Sequence, residues 1–279
     1  MPNTKKFAAL AAASLLTASL AACASDNGGG GGSSGDNDAV TIGIKFDQPG
    51  VGQQVGSDYK GFDVDVARYV VKELGYSKIT FKEAPSAQRE TLIQSGQVKM
   101  VVASYSITEE RQQKVSFAGP YLVAGQDLLV RADDTSITGP DSLNGKKLCS
   151  VTGSTSAANV QEKFANKVQL QEYDTYSKCV DPIINGTLDA MTTDNTILAG
   201  YAAQPQYKGK LRLVGKPFSE ENYGIGIKKG DTELCGKIND ALDKMVSDGT
   251  WQKDLDANFG PANFKPDPAK NPPKHIPCS

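Results

Sequence analysis

The run Ser104-Tyr105-Ser106-Ile107-Thr108-Glu109-Glu110-Arg111 places an arginine one turn into a helix that begins after a nearly all-apolar strand, Val98–Ser104. Thr108 suits the N-cap, and Glu109 and Glu110 suit the first turn, where carboxylates meet the positive end of the helix dipole. Arg111 then faces back toward the strand end with a planar fork of donors that matches a carboxylate. The same spacing also fits an arginine paired with the neighbouring glutamates on a solvated surface, and spacing alone leaves both open. A second segment, Val151-Thr152-Gly153-Ser154-Thr155-Ser156, also lies between a strand and a helix. Its glycine permits a tight turn, and the hydroxyls and unpaired N–H groups behind it form an anion site at a helix start. Ser154 would cap the helix in any case. Asp194 closes the strand Leu188–Thr193 just before another helix, where it could accept from an ammonium group or simply cap that helix.

Other chemistries are excluded by composition. The chain of 279 residues has a single histidine, His275, four residues from its end. A Ser-His-Asp or Cys-His nucleophile system needs an imidazole beside the nucleophile, and a histidine zinc site needs imidazoles converging on the metal. The glycine segment lacks the GxxxxGK[ST] spacing of a phosphate loop. With 30 Lys+Arg against 32 Asp+Glu the net charge is −2, without the basic excess of a nucleic-acid binder. No cofactor, metal or nucleic-acid partner is expected.

The first 38 residues read as processing and tether. Lys5 and Lys6 precede an apolar run from Phe7 to about Leu20, the layout of a secretory signal peptide and too short for a comfortable membrane span. The run ends in Leu20-Ala21-Ala22-Cys23, which resembles the lipobox of bacterial lipoproteins, whose cysteine is acylated and becomes the mature N-terminus. Residues 1–22 are then a cleaved signal peptide, and residues 23–38, with five consecutive glycines, a flexible tether. The expected location is extracytoplasmic, anchored to the cell membrane through lipid on Cys23. In an oxidising compartment Cys149, Cys179, Cys235 and Cys278 favour disulfides over metal ligation. Of the three connectivities, proximity in sequence favours Cys149–Cys179, leaving Cys235–Cys278 to fasten the proline-rich tail to the C-terminal helix.

The elements that must position these groups alternate. Strands are expected at Val40–Phe46, Ile79–Glu83, Val98–Ser104, Gln126–Arg131, Lys146–Val151, Val168–Glu172, Leu188–Thr193, Leu211–Val214 and Tyr223–Lys228. A helix entered at Gly61-Phe62-Asp63 carries Phe62, Val66, Val70 and Leu74 on one face, with Gly75 placed to stop it. Further helices are expected at Gln88–Gln94, Ser154–Asn166, Tyr176–Asn185 (limited to its first turn or kinked by Pro182) and Asn195–Tyr201. The C-terminal pair carries Leu234, Ile238, Leu242 and Met245, then Trp251, Leu255 and Phe259. Repeated alternation predicts two α/β lobes with parallel sheets and a ligand at the carboxyl ends of strands.

Four ordered stretches carry a resemblance: Gly61-Phe62-Asp63-Val64-Asp65-Val66-Ala67, Ser106–Arg111, Gly153-Ser154-Thr155 and Asp189–Asp194. Over residues 39–260 the chain resembles the extracellular solute-binding proteins of polar amino-acid ABC importers. That resemblance implies a two-lobed, periplasmic-binding-protein-like (type II) α/β fold. Lobe one would comprise 39–129 and 217–279, including the tail, and lobe two 130–216, with hinged closure over the ligand. It implies that Arg111 clamps the ligand α-carboxylate, with Ser154 and Thr155 adding donors. Asp194 would hold the α-ammonium, and Ser104 and Ser106 would add backbone or hydroxyl contacts. The aromatic residue that often stacks on the ligand after the first strand is absent, and Gln48 stands near that position. Ser86-Ala87-Gln88-Arg89 looks like the glutamate/aspartate-binding branch, in which Arg89 meets the side-chain carboxylate and Lys45 supplies a second cation. A buried second carboxylate needs its own countercharge; otherwise Arg89 is a surface arginine near Glu83 and Glu90, and Lys45 a solvated strand end. The expected protein is a monomeric, non-enzymatic carrier of glutamate for the permease subunits of an importer. The alternatives are glutamine or another polar amino acid as ligand, or a dehydratase on the same architecture.

Overall fold

Strand β1 (Ala39–Ile44) pairs in parallel with β5 (Lys78–Glu83) on one side and β6 (Met100–Val101) on the other. These coordinates are a computed structural model that describes residues 39–164 and 167–278. The signal peptide, the tether and Cys23 lie outside the described residues, as does the expected end of the Ser154–Asn166 helix. Between β1 and the first helix runs a small antiparallel sheet of β2 (Asp47–Gln48), β3 (Gly52–Val55) and β4 (Asp58–Lys60), which the polar turn-rich sequence had not announced. Helix α1 (Phe62–Glu73) then buries Phe62, Val66 and Val70, and Gly75 follows its C-cap with φ +84°. Helices α2 (Arg89–Gln94) and α3 (Glu109–Lys114) flank β6.

Strand β7 (Ser116–Ala124) is buried along its whole length and was not foreseen. Its Gly119-Pro120 pair reads as a turn in one dimension. In the fold the proline sits in an edge strand, where a missing N–H breaks no ladder. The C-terminal tail covers that edge. Asn271 donates to Val123 O (3.0 Å) and accepts from Val123 N (2.9 Å), and Ile276 N donates to Gly119 O (2.8 Å).

The chain then crosses at Gly125 into a second sheet. This sheet holds β8 (Gln126–Arg131), β9 (Lys147–Val151), β10 (Gln169–Tyr173), β11 (Ala190–Asp194) and β12 (Leu211–Leu213), in the order β10-β9-β11-β8-β12. Helices α4 (Thr155–Phe164), α5 (Ser177–Ile184) and α6 (Asn195–Ala203) connect its strands. The return crossing leads to β13 (Glu221–Ile227), which rejoins the first sheet between β6 and β7, giving β5-β1-β6-β13-β7. Helix α7 (Thr232–Ser247) then packs on β7 of the first sheet, and α8 (Thr250–Phe259) packs against α7 and α1. Phe62, Tyr121, Trp251 and Phe259 form an aromatic cluster there, and Trp251 Nε1 donates to Tyr121 O (2.8 Å).

Two expectations are corrected. The sheets are mixed, because β7 and β13, and likewise β8 with β11 and β12, pair antiparallel. Residues 126–129, assigned above to the first lobe, open β8 and belong to the second sheet. Both corrections have one cause: the crossing strands run back alongside their neighbours, and a turn of one residue at Gly125 suffices for the passage. The disulfides join Cys149 to Cys179 and Cys235 to Cys278, tying β9 to α5 and the tail to α7.

Candidate ligand-binding cleft

The charged residues singled out above meet between the two sheets. Lys45 follows β1 directly, is 3% exposed, and donates from Nζ to Ser86 Oγ at 2.9 Å. Burial first, then the charge of Arg89, pulls its ammonium pKa down to about 7. Arg89 opens α2 and is 2% exposed; Nη1 donates to Ala103 O (3.0 Å) and Ser104 O (3.3 Å), and Nε to Ser86 O (3.4 Å). Its guanidinium carbon lies 4.3 Å from the Tyr105 ring centroid. Burial and the neighbouring Arg111 lower its pKa to about 10. The hydrogen-bond partners of both cations are neutral. The surface readings of Arg89 and Lys45 therefore fail.

Thr108 caps α3 as expected, its Oγ1 accepting from Arg111 N at 3.2 Å. The Arg111 guanidinium donates to Ser106 O (2.8 Å) and across the cleft to Gly153 O (3.0 Å), and its Nε lies 3.6 Å from Glu90 Oε1. It is buried, so the solvated-surface alternative fails here too, and its acidic neighbour is Glu90 rather than Glu109 or Glu110. Glu90 also accepts from Tyr105 OH at 2.7 Å. Gly153 has φ +76°, and a Cβ there would come within 2.7 Å of Ala87 Cα, so this approach of the lobes requires glycine. Ser154 does cap α4, accepting from Ala157 N at 3.0 Å. Thr155 Oγ1 donates to Glu221 Oε2 (2.9 Å) and lies 3.5 Å from Ser106 Oγ.

Asp194 occupies the N-cap position of α6 yet makes no capping hydrogen bond. Its Oδ2 accepts from Tyr223 OH at 2.5 Å, while Oδ1 is buried with no hydrogen-bond partner. Burial first, and then the charge of Glu221, push its carboxyl up to about 8. The capping alternative therefore fails, and one buried carboxylate oxygen is left without a partner. Ser104 adopts φ +43°, held by its N–H donating to Asp63 Oδ2 at 2.6 Å; its Oγ donates to Gln48 Oε1 at 3.0 Å. Asp63 also accepts from Tyr121 OH at 2.6 Å, and burial raises its pKa to about 7.

All nine binding candidates, Lys45, Ser86, Arg89, Ser104, Ser106, Arg111, Ser154, Thr155 and Asp194, converge on this region. A cavity of about 440 Å³ adjoins it, lined from both lobes by residues that include Glu90, Arg111, Gly153 and Thr155. Lys45, Arg89 and Asp194 are buried and do not line it. The lobes are drawn together elsewhere. Asp47 Oδ2 accepts from Tyr176 N (2.8 Å) and Ser177 N (3.3 Å), and Tyr201 OH donates to Asp47 O. A Cβ on Gly200 would overlap Pro49 O. Sequence reasoning missed Asp63, Glu90, Glu221 and Tyr223 as members of the site. Asp63 had a signal, being an acid on the buried face of α1; the others had none, because their partners lie on other elements.

Two α/β sheets joined by two crossings, with charged side chains buried between them, define a two-lobed, periplasmic-binding-protein-like (type II) fold. Residues 40–261 match the bacterial extracellular solute-binding proteins, family 3, and the chain belongs to that family. It is 49% identical over 238 residues to the glutamate-binding protein GluB of Corynebacterium glutamicum, covering 81% of this chain and 80% of that protein. It is 37% identical over 222 residues to the ABC transporter glutamine-binding protein GlnH of Bacillus subtilis, covering 78% and 80%. A solved ancestral arginine-binding protein bound to glutamine is similar at a TM-score of 0.74 and 36% identity, over 80% of this chain and 98% of that one.

Proposed function

We propose that this protein binds L-glutamate between its lobes and delivers it, unaltered, to the permease subunits of an ABC importer. The observation that carries the ligand assignment is the burial of Lys45 and Arg89 with only neutral hydrogen-bond partners. Two buried cations call for an anion, and charge-assisted hydrogen bonds to a carboxylate are the strong kind. Glutamate supplies a distal carboxylate for them, an α-carboxylate for the Arg111 fork with Ser106, Ser154 and Thr155 beside it, and an ammonium for Asp194 Oδ1. A basic side chain would meet like charge at Lys45 and Arg89. A neutral amide would give neither group a carboxylate within hydrogen-bond reach, leaving only the more distant charges of Asp47 and Glu83 for Lys45 and of Glu90 for Arg89. The names of the two curated relatives, one glutamate-binding and one glutamine-binding, support this ligand class.

Calorimetric titration of L-glutamate, L-glutamine and L-arginine into the delipidated protein is expected to rank glutamate tightest, with the amino acid recovered unchanged. Lys45→Met should weaken glutamate by about one to two powers of ten, the worth of a charge-assisted hydrogen bond, and glutamine much less. Glutamine binding more tightly than glutamate in the parent protein would overturn the acidic-ligand assignment.

Attachment to the cell membrane through lipid on Cys23, as a monomer, completes the proposal. Its support is the Leu20-Ala21-Ala22-Cys23 run followed by a glycine-rich tether, together with the extracellular family. Cys23→Ser is expected to move the protein from the membrane fraction to the soluble fraction while leaving ligand affinity unchanged. Retention of that variant on membranes refutes the lipid anchor.

A further inference from the structure

Among the described residues, two buried polar side-chain atoms have no hydrogen-bond partner: Asp194 Oδ1 and Gln48 Nε2. They are complementary. One is an acceptor on the second lobe, and the other is a donor on the first. Gln48 is fully buried, and its Oε1 is held by Ser104 Oγ at 3.0 Å, which fixes the amide and directs its N–H groups away from Ser104. The same Ser104 offers its carbonyl to Arg89, and Lys45 lies three residues before Gln48 in one segment. Asp47 and Pro49, on either side of Gln48, both touch the second lobe. A buried N–H without a partner is costly and rare in a folded chain, and so marks a position built for something else.

We infer that Gln48 is a specificity-determining residue whose Nε2 donates to the distal carboxylate of the bound acidic amino acid, beside Lys45 and Arg89. This deepens the glutamate reading and rests on it. Together Lys45 Nζ, the Arg89 guanidinium and Gln48 Nε2 present only donors. A carboxylate has two oxygens and about four lone-pair sites to meet them. A carboxamide has one oxygen, and its NH2 group would face a donor. Discrimination against glutamine then comes from an unfavourable donor–donor contact as well as from charge.

The test is calorimetry with L-glutamate and L-glutamine on the parent protein, Gln48→Met and Gln48→Glu, with ligand-free melting temperatures for each. Gln48→Met keeps the length and removes the donor. It should weaken glutamate roughly 10- to 100-fold and glutamine less than about tenfold. Gln48→Glu replaces the donor with a charge that repels the distal carboxylate. It should weaken glutamate further and shift preference toward glutamine, and it decides the matter alone if Gln48→Met fails to fold. Equal losses for both ligands in the two variants would mean that Gln48 only supports Ser104, and unchanged affinities would mean that it does not reach the ligand. Either result overturns the inference while leaving the glutamate reading intact. A parent protein that binds no acidic amino acid would overturn both.

Discussion

Arg111→Ala is expected to weaken L-glutamate and L-glutamine alike, by about two to four powers of ten in dissociation constant. The guanidinium is buried and already reaches both walls of the cleft, donating to Ser106 O and Gly153 O. A ligand α-carboxylate brought there without it becomes a buried charge lacking its partner, which costs roughly 3–5 kcal/mol. Both amino acids present the same α-carboxylate, so the two losses should match. Arg111→Lys retains the charge but not the planar two-pronged fork, and should recover only part of the affinity. Calorimetry on both variants checks this. A loss confined to glutamate would place Arg111 at the side-chain end and dismantle the assigned ligand orientation.

Asp194→Asn should be nearly as damaging, because the ligand ammonium would then enter a buried site without a countercharge. About two to three powers of ten are expected, for any α-amino acid the cleft accepts. Asp194 also predicts a pH dependence with a definite sign. Burial and Glu221 hold its carboxyl at about 8, so at pH 7 the ligand-free group mostly carries its proton. Binding an ammonium favours the charged carboxylate and expels that proton, so affinity should rise with pH up to about 8 and then level. Lys45 works in the opposite sense: its pKa is about 7 before binding, and a distal carboxylate favours its charged form, taking a proton up. Glutamine binding should therefore release protons at pH 7, whereas glutamate binding should release fewer because Lys45 recaptures part of them. Titrations in buffers of different ionisation enthalpy read this directly. The release should vanish in Asp194→Asn. Its persistence there, or an affinity within tenfold of the parent protein, would remove Asp194 from the ammonium site.

The legible parts of the site were local ones. Thr108 capping the helix that carries Arg111 and Gly153-Ser154 turning from strand to helix are settled within a few residues, so spacing reveals them. Asp194 was legible as a carboxylate at a strand end. That it makes no capping bond and instead accepts from Tyr223, 29 residues later, was not legible. Strand β7 was hidden by Gly119-Pro120, whose meaning as an edge position depends on β13 and on Asn271 in the tail. The single-residue crossing at Gly125 was invisible for the same reason: which sheet a strand joins is decided by its partners.

The sequence by itself determined the alternation of strands and helices, the chemistry available at strand ends and the family resemblance, and it favoured the cysteine pairing without fixing it. Each of these is written in periodicity, capping or residue type over short stretches. Only the tertiary structure decided which charges are buried. Lys45 and Arg89 could have stood in water, and Gln48 carried no signal beyond the absence of an aromatic ring. Whether a charge is desolvated depends on walls supplied by residues far along the chain, such as Ser104 over Gln48 and Gly153 against Arg111. Desolvation separates an exposed pair worth about 0–1 kcal/mol from a buried one whose loss costs several, so the strength of this cleft is a property of the assembled lobes.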